Sequence, residues 1–150
     1  MMRVTFDTNV LVSAFIAKHG RPASLMQLAM TLETIELVLS NPILTEFEDV
    51  LMREEVRRRF SYTQQDVKSI VETLKKSARI IPLKSSFRVV KEDPKDNMIL
   101  NTSYDGNADY IVSGDSHLLR PRRFKGIKIV NPTQMMMVMS RKFPEFVFHL

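Results

Sequence analysis

The sequence contains no cysteine among its 150 residues. This absence excludes disulfides, zinc sites built on thiolates and cysteine nucleophiles. Glycine is also scarce, and the four positions do not have the spacing of a phosphate-binding loop. The glycines are Gly20, Gly106, Gly114 and Gly126. Nucleotide-binding proteins of the glycine-rich loop type are therefore not favoured.

Two further catalytic signatures are missing. No serine lies in a nucleophile-elbow motif. The three histidines are isolated and lack the spacing of paired metal ligands; they are His19, His117 and His149. His117 could approach a site through its nearness to Asp115, but its interpretation as a structural residue is favoured.

The size and composition of the chain fit one soluble globular domain, which we expect to span residues 1–150. Hydrophobic residues make up 44% and charged residues 26%, as in ordinary folded proteins. No apolar run is long enough to span a bilayer. Because Met1 leads almost directly into a predicted strand, we expect no signal peptide and a cytoplasmic location.

The positive charge of the chain is unevenly distributed. The net charge is +5, and residues 53–88 hold ten Lys/Arg against four Asp/Glu, a local balance of +6. A basic segment beside an acidic centre suits an enzyme that cuts a polyanion, because one part attracts phosphates while the other holds metal. The alternative is a solvated helix face with no binding role.

Strand and helix signals alternate along the chain, and no repeat or linker interrupts them. The strand signals lie at residues 3–6, 36–39, 79–83, 110–112 and 128–130, of which 79–83 could also be a connector. The helix signals begin at Thr8, Pro22, Pro42, Thr63, Asp93 and Pro132. This order predicts an α/β fold with a parallel sheet and helices on both of its faces.

Several helix starts carry capping signals. Asn41 and Asn131 each precede a proline, so each is predicted to cap the helix that follows. Thr63 and Asp66 have the spacing of a capping box.

Four acidic residues carry the functional hypothesis. Asp7, Asp96 and Asp115 fall near strand-to-helix junctions, and Glu46 lies in a mid-chain helix. Functional groups collect outside the carboxyl ends of the strands in an open parallel sheet. Converging carboxylates repel one another, and a divalent cation relieves the repulsion. Ligands that are all oxygen favour Mg²⁺ or Mn²⁺ over zinc.

Three of the acids also have a purely structural interpretation. Asp7 could cap the helix that begins at the next residue, and Asp115 could cap the segment 116–119. Asp96 lies three residues after Asp93, so this pair could be a cap and its partner. The combination of the acids at strand-to-helix junctions favours the metal site.

Glu46 could be an exposed helical carboxylate. Its position lies at one boundary of the apolar stripe of its helix, and Glu48 lies at the opposite boundary. Helical periodicity therefore does not distinguish the two residues.

Four stretches together resemble the PIN domain family. They are residues 7–14 (DTNVLVSA), Glu46, residues 92–97 (EDPKDN) and residues 111–119 (IVSGDSHLL). Within the family, the chain is most similar to toxins of the VapC ribonuclease type. The resemblance extends over residues 3–132.

This resemblance implies a three-layer α/β/α sandwich with a central parallel sheet. It also implies a Mg²⁺- or Mn²⁺-dependent endonuclease that acts on RNA and leaves a 5′-phosphate and a 3′-hydroxyl. The implied catalytic and metal-binding acids are Asp7, Glu46, Asp96 and Asp115. The implied supporting residues are Thr8, Asn9 and Ser113, with Asp93 either a further outer acid or only a cap.

The resemblance further implies a homodimer and a small antitoxin protein as partner. Basic side chains are candidates for holding RNA, although phosphate contacts carry no sequence information. The candidates are Arg57, Arg58, Arg59, Lys75, Lys76, Arg120, Arg122, Arg123 and Lys125. Residues 57–59 could equally face the acidic groups of a protein partner.

Two other hypotheses remain open at this level. The first is a catalytically silent PIN-like module that binds RNA or protein, although the intact acids argue against it. The second is a phosphatase or a structure-specific DNA nuclease on the same α/β plan. The apolar tail, residues 143–150, could dock on the core or on a partner.

Overall fold

The computed structural model describes residues 1–17, 19–90 and 94–145. Its centre is a six-stranded sheet with the order β3-β2-β1-β4-β6-β5. The strands are β1 Met2–Phe6, β2 Ile35–Leu39, β3 Arg79–Ile80, β4 Tyr110–Val112, β5 Arg123–Phe124 and β6 Ile127–Val130. The pairings β1–β2, β1–β4, β2–β3 and β4–β6 are parallel. Strand β5 pairs with β6 in the antiparallel direction.

Helices flank this sheet. They are α1 Thr8–Ala17, α2 Arg21–Thr31, α3 Asn41–Met52, α4 Glu54–Phe60, α5 Gln64–Ser77, α6 Pro94–Asp105, α7 Ser116–Leu119 and α8 Pro132–Lys142. The predicted α/β/α sandwich with a central parallel sheet is confirmed, except that the sheet has one antiparallel pairing. Within the described ranges, no helix combines the length and the apolar character needed to cross a membrane.

The core lies where the central strands meet the helices. Val4, Leu37 and Ile111 in the three central strands have no exposed surface, and neither has Phe47 of α3. Parallel strands covered on both faces read as short continuous apolar runs, which is why these segments could be recognised in the sequence.

Two features of the fold depart from the sequence prediction. The edge strand β5 and the helix α4 were not expected, and the sheet is therefore not purely parallel. Strand β5 has two residues, and Lys125 and Gly126 then turn the chain back into β6 with positive φ angles of 49° and 81°. Helix α4 is separated from α3 by Arg53, whose backbone is not helical, with φ −59° and ψ 129°. None of the side chains of α4 is buried.

The capping predictions have two outcomes. The box formed by Thr63 and Asp66 is present, and Asn131 caps α8 through a reciprocal box with Gln134. The prediction that Asn41 caps α3 is wrong, because Asn41 lies inside the helix and Ser40 precedes it.

Ser40 makes no capping bond, and its hydroxyl contacts a different helix. The oxygen lies 2.8 Å from the Thr102 hydroxyl oxygen of α6, in the buried space between the two helices. Close by, Gly106 allows α6 to approach β2, since a Cβ there would lie 2.2 Å from Val38 Cγ1. These contacts fix the position of α6 over the sheet.

One side of α6 holds a segment without helix or strand, residues 82–90, which we call the strap. The Asn97 side chain accepts from Val90 N at 2.8 Å and donates to Val90 O at 2.7 Å. Asn101 makes the same pair of bonds to Phe87, at 2.7 Å and 3.2 Å. The two side-chain amides therefore form the hydrogen bonds to backbone N–H and C=O groups of the strap that a neighbouring strand would otherwise form.

Asp105 completes this series one turn further along α6. Its Oδ2 accepts from the backbone N of Lys84 at 2.7 Å and of Ser85 at 2.9 Å, and from the Ser85 hydroxyl at 3.0 Å. Burial acts to raise the pKa of Asp105, but these three donors and the Lys84 charge outweigh it, so the pKa is lowered. The strap is thus anchored to an ionised carboxylate.

Candidate active site

The sheet gathers the predicted acids at the carboxyl ends of β1 and β4. These strands are parallel neighbours, with Phe6 opposite Val112, so Asp7 and Asp115 emerge on the same edge. A cavity of about 50 Å³ lies there, which is large enough for a cation and some of its water ligands. We call it the acidic cavity, and it is lined by Asp7, Thr8, Asn9, Glu46, Lys95, Asp96, Ile99 and Asp115.

Asp7 is a buried acid whose pKa departs from its ordinary value. Its Oδ1 accepts from Val10 N at 2.9 Å, and its Oδ2 accepts a short hydrogen bond from the Ser113 hydroxyl. Burial raises the pKa of Asp7, and the nearby charge of Asp115 adds to the rise, while the hydrogen bonds offset part of it. Asp7 is only 5% exposed, so a nearby positive charge would stabilise its ionised form.

The capping interpretation of Asp7 is confirmed, and it does not conflict with the predicted place of Asp7 at a metal site. The bond to Val10 N is a capping bond at the start of α1. The same carboxylate also lines the acidic cavity. Ser113 links the two strand ends, since its oxygen also accepts from Asp115 N at 2.9 Å.

Glu46, and not Glu48, points into the acidic cavity. Its Oε2 accepts from the Thr8 hydroxyl at 3.1 Å. Its Oε1 lies 3.2 Å from Lys95 Nζ in an ion pair. Lys95 was not among the predicted site residues, and its place inside the stretch 92–97 was the only signal for it.

Asp96, Asp115 and His117 form the other side of the site. Each offers one ligand atom, and the three atoms lie within 4.8 Å of one another. Asp96 is 6% exposed and is held in the first turn of α6, whereas the His117 side chain is 42% exposed. The sequence interpretation set His117 aside, but the structure places its ring beside the acids.

Asp115 also caps α7, as its structural interpretation predicted. Its Oδ1 accepts from His117 N at 2.7 Å, and the imidazole Nδ1 lies 3.5 Å from the same oxygen. The cap holds the carboxylate at the mouth of the acidic cavity. Capping and metal binding are therefore compatible roles for this residue.

The residues of the cavity fit a divalent cation. Carboxylate oxygens are the ligands that Mg²⁺ and Mn²⁺ prefer, and the raised pKa of Asp7 is the electrostatic condition that a bound cation would relieve. Metal–ligand bonds are about 2.0–2.2 Å long, so two ligand atoms on opposite sides of one ion lie up to roughly 4.4 Å apart. Small side-chain rotations would therefore bring the ligand atoms of Asp96, Asp115 and His117 to bonding distance of a single ion.

Each predicted supporting residue in the described ranges lies at the site. Thr8 and Asn9 line the cavity, and Ser113 bonds to Asp7. Asp93 lies outside the described residues, as do residues 146–150 of the apolar tail.

The predicted basic residues do not line the acidic cavity. On α4, Arg57 donates to Met52 O at 3.1 Å, and Arg58 pairs with Glu54. Arg59 lies over the Phe60 ring, 5.3 Å from its centroid. These three cations are engaged in contacts within or next to their own helix.

The basic residues after α7 are arranged differently. Arg120 ends the short helix that Asp115 begins, so it lies close along the chain to the acidic cavity. Arg122 has a positive φ of 66°, and Lys125 Nζ lies 5.5 Å from the centroid of the Phe87 ring. Within the described part of the chain, Arg120, Arg122 and Arg123 form no ion pair. Lys75 and Lys76 are exposed in the last turn of α5.

Comparison with known proteins adds three findings. Residues 3–117 match the family model of the PIN domain. An uncharacterized protein of Methanocaldococcus jannaschii is 29% identical over 131 residues, which cover 87% of this chain and 82% of that protein. A chain of the crystal structure of VapBC2 from Rickettsia felis, bound to a DNA fragment from their promoter, superposes with a TM-score of 0.56. That match has 15% identity and covers 87% of this chain and 98% of the other, and it shows a shared fold.

Proposed function

The chain belongs to the PIN domain family, and on that premise we propose that it is a metal-dependent endoribonuclease. The observation that carries the proposal is the convergence of Asp7, Glu46, Asp96 and Asp115 on one small cavity at the carboxyl ends of the strands. The raised pKa of Asp7 supports it, because an acid kept buried beside another acid is stabilised by a cation.

The four acids would hold Mg²⁺ or Mn²⁺. When bound, such an ion supplies a water of lowered pKa and stabilises the charge that develops on the attacking and leaving oxygens. Ser113 and Thr8 hold the carboxylates of Asp7 and Glu46 in place. Lys95 brings a positive charge to the cavity wall, where it can attract a phosphate oxygen.

We further propose that the RNA strand passes over Arg120, Arg122 and Arg123. These side chains follow α7 directly and form no ion pair within the described residues, so their charge is available to phosphates. The logarithm of RNA affinity falls as the logarithm of salt concentration rises. Replacing all three arginines by Gln should make this dependence less steep, by about 0.7 in slope for each phosphate that the protein no longer neutralises. The matched change of residues 57–59 to Gln should alter the slope less, because those arginines are engaged on α4.

The biological role that we propose is that of a cytoplasmic toxin, acting as a homodimer and restrained by a small antitoxin protein. The fold shared with a chain of the VapBC2 complex is what motivates this proposal. Expression of the chain should arrest growth, and the Asp96→Asn variant should not. Relief of the arrest by the product of an adjacent small gene would support the antitoxin, and growth unaffected by the parent would count against the toxin role.

Cleavage itself is tested with purified protein and labelled RNA. We expect cutting with Mn²⁺, none with EDTA, and none from an Asp7→Asn variant prepared in the same way. Cutting that survives EDTA but stops with an RNase inhibitor would reveal a contaminant. Binding without cleavage across several RNAs and metals would favour the silent module.

Substrate class requires a separate comparison. Single-stranded RNA, flap DNA and a chromogenic phosphate ester should be offered to the same preparation. Preference for the RNA is the expected result, and preference for either of the others would replace the ribonuclease with a DNA nuclease or a phosphatase.

A further inference from the structure

We propose that His117 is a direct ligand of the metal ion, and that Asp96, Asp115 and His117 form the group that binds the ion most tightly, with the two carboxylates lining the acidic cavity. The proposal rests on the proposed function only in requiring that a divalent cation bind at the cavity. It goes beyond the four acids by adding a nitrogen ligand from a residue that the sequence interpretation had set aside.

The first argument is the difference between the two sides of the cavity. On one side, both oxygens of Asp7 accept hydrogen bonds. Both oxygens of Glu46 are likewise engaged, one by Thr8 and one by Lys95. These bonds orient both carboxylates without using every lone pair, but neither residue belongs to the group of described residues whose ligand atoms lie within 4.8 Å of one another.

The other side already has the spacing of a ligand set. One atom each of Asp96, Asp115 and His117 lies within 4.8 Å of the others. Three ligand atoms that converge in this way from α6 and from the start of α7 leave the remaining positions of an octahedral ion for water and phosphate oxygens.

The second argument concerns the imidazole ring itself. Its Nδ1 lies 3.5 Å from Asp115 Oδ1, which is longer than a hydrogen bond between nitrogen and oxygen. Neighbouring ligands of one octahedral ion lie roughly 3 Å apart, so this separation is close to that of two ligands sharing an ion. The ring is also substantially exposed, so burial in the core does not explain its position.

The position of the ring is set by local structure. Asp115 caps α7, and its Oδ1 accepts from the backbone N of His117 at 2.7 Å. The capping bond therefore brings the imidazole to the same carboxylate that lines the cavity. Leu118, the next residue, is buried and anchors α7 to the core.

A nitrogen ligand has a chemical consequence for metal preference. An imidazole ligand raises the affinity of a site for first-row transition metals, least for Mn²⁺ and more for Co²⁺, whereas Mg²⁺ prefers oxygen ligands. The ligand set of two carboxylates and one imidazole therefore favours Mn²⁺ and Co²⁺ over Mg²⁺. Loss of the imidazole should therefore reduce the difference in affinity between Mn²⁺ or Co²⁺ and Mg²⁺. The affinity for Mg²⁺ itself should change little.

The experiment is a pulsed electron paramagnetic resonance measurement on the full chain loaded with Mn²⁺. We expect modulation from a directly bound ¹⁴N nucleus in the parent and its loss in the His117→Ala variant. The matched control is His19→Ala, which removes an exposed histidine beyond the far end of α1, roughly 15 Å along the helix from Asp7. This control should keep the nitrogen signal.

Metal affinity gives a second measurement. His117→Ala should weaken Mn²⁺ binding about tenfold and Co²⁺ binding by more, and should change Mg²⁺ binding by less than about twofold. Labelling the parent with ¹⁵N-histidine should convert the ¹⁴N modulation to that of ¹⁵N, which tests the ligand without any substitution.

A parent without nitrogen modulation, or a variant that retains it, would overturn the proposal. Failure of the parent to bind Mn²⁺ would also overturn it. Absence of RNA cleavage together with an intact nitrogen signal would refute the ribonuclease and leave His117 as the ligand. Cleavage by a protein without the nitrogen signal would refute the ligand and leave the ribonuclease.

Discussion

The polar side chains of helix α6 have two different environments, one at the strap and one at the acidic cavity. Toward the strap, Asn97, Asn101 and Asp105 have backbone partners at hydrogen-bond distance, and the pKa of Asp105 is lowered. Toward the acidic cavity, Asp96 joins carboxylates that repel one another, and the pKa of Asp7 is raised by burial and by Asp115. The hydrogen bonds at the strap stabilise the fold. The carboxylates at the acidic cavity repel one another, and a bound cation would reduce that repulsion.

Substitution of one acid from each face tests this difference most strongly. Asp96→Asn should reduce RNA cleavage by at least about 100-fold, because loss of a ligand exceeds the 10–100-fold effect of outer partners. Asp105→Asn should leave the cleavage rate per folded molecule within about twofold, since Asp105 contacts the strap. Equal losses of cleavage rate in the two variants would contradict the proposed difference between the two sides of α6.

A second pair of variants separates the cavity from the remainder of α3. Glu46→Gln should reduce cleavage by about 10–100-fold, because Glu46 lines the cavity and pairs with Lys95. Glu48→Gln changes the same chemical group two residues away and should have little effect. The cleavage rate at saturating Mn²⁺ is the measurement, and a larger loss in Glu48→Gln would contradict the assignment of Glu46.

On the strap side, the expected effect is on stability. Asn101→Ala should lower the free energy of unfolding by about 1–3 kcal/mol, because it leaves the backbone groups of Phe87 without their partner. Gln65→Ala on the exposed surface of α5 is the control, with an expected change within about 0.5 kcal/mol. Urea unfolding of both variants measures the difference. An Asn101→Ala variant as stable as the control would show that the strap contributes little.

The smallest effects are expected in the pH dependence of the metal-free protein. Asp7 has a raised pKa in the folded state, so its favourable contribution exists at low pH and is lost as pH rises through that pKa. The stability of Asp7→Asn relative to the parent should therefore increase with pH. Each kcal/mol gained corresponds to roughly 2–4 °C in Tm for a chain of this size.

Asp105 should behave in the opposite sense. Its pKa is lowered, so its contribution is present above the ordinary pKa of about 4 and is lost as pH falls through the lowered value. Asp105→Asn should be less stable than the parent at neutral pH and approach it in acid. Thermal unfolding in EDTA across pH 3–8 checks both variants, and slopes of the same sign would contradict the assigned pKa directions.

The parts of the fold that could be predicted depend on short-range patterns. The apolar runs at residues 4–6 and 110–112 identified β1 and β4, and the parallel arrangement then placed Asp7 and Asp115 together. The capping box at Thr63 needed only neighbouring residues, and it is present. The two-residue strand β5 was missed because its pairing with β6 depends on a turn rather than on an apolar run.

The parts that could not be predicted depend on long-range contacts. Glu46 and Glu48 lie at equivalent boundaries of their helix, and only the packing of α3 against Thr8 distinguishes them. Asn41 had the better capping pattern, but Ser40 precedes the helix and is held by Thr102, 62 residues away. Lys95 was missed for a similar reason, since its contact with Glu46 joins two distant helices.

The most direct test of the shared cation site is a crystal soaked in Mn²⁺ and measured at the manganese absorption edge. The account predicts one anomalous peak or two in the acidic cavity, with an ion roughly 2.0–2.3 Å from oxygens of Asp96 and Asp115. A fully soaked crystal with no peak there, or with its strongest peak on a different surface, would contradict the account.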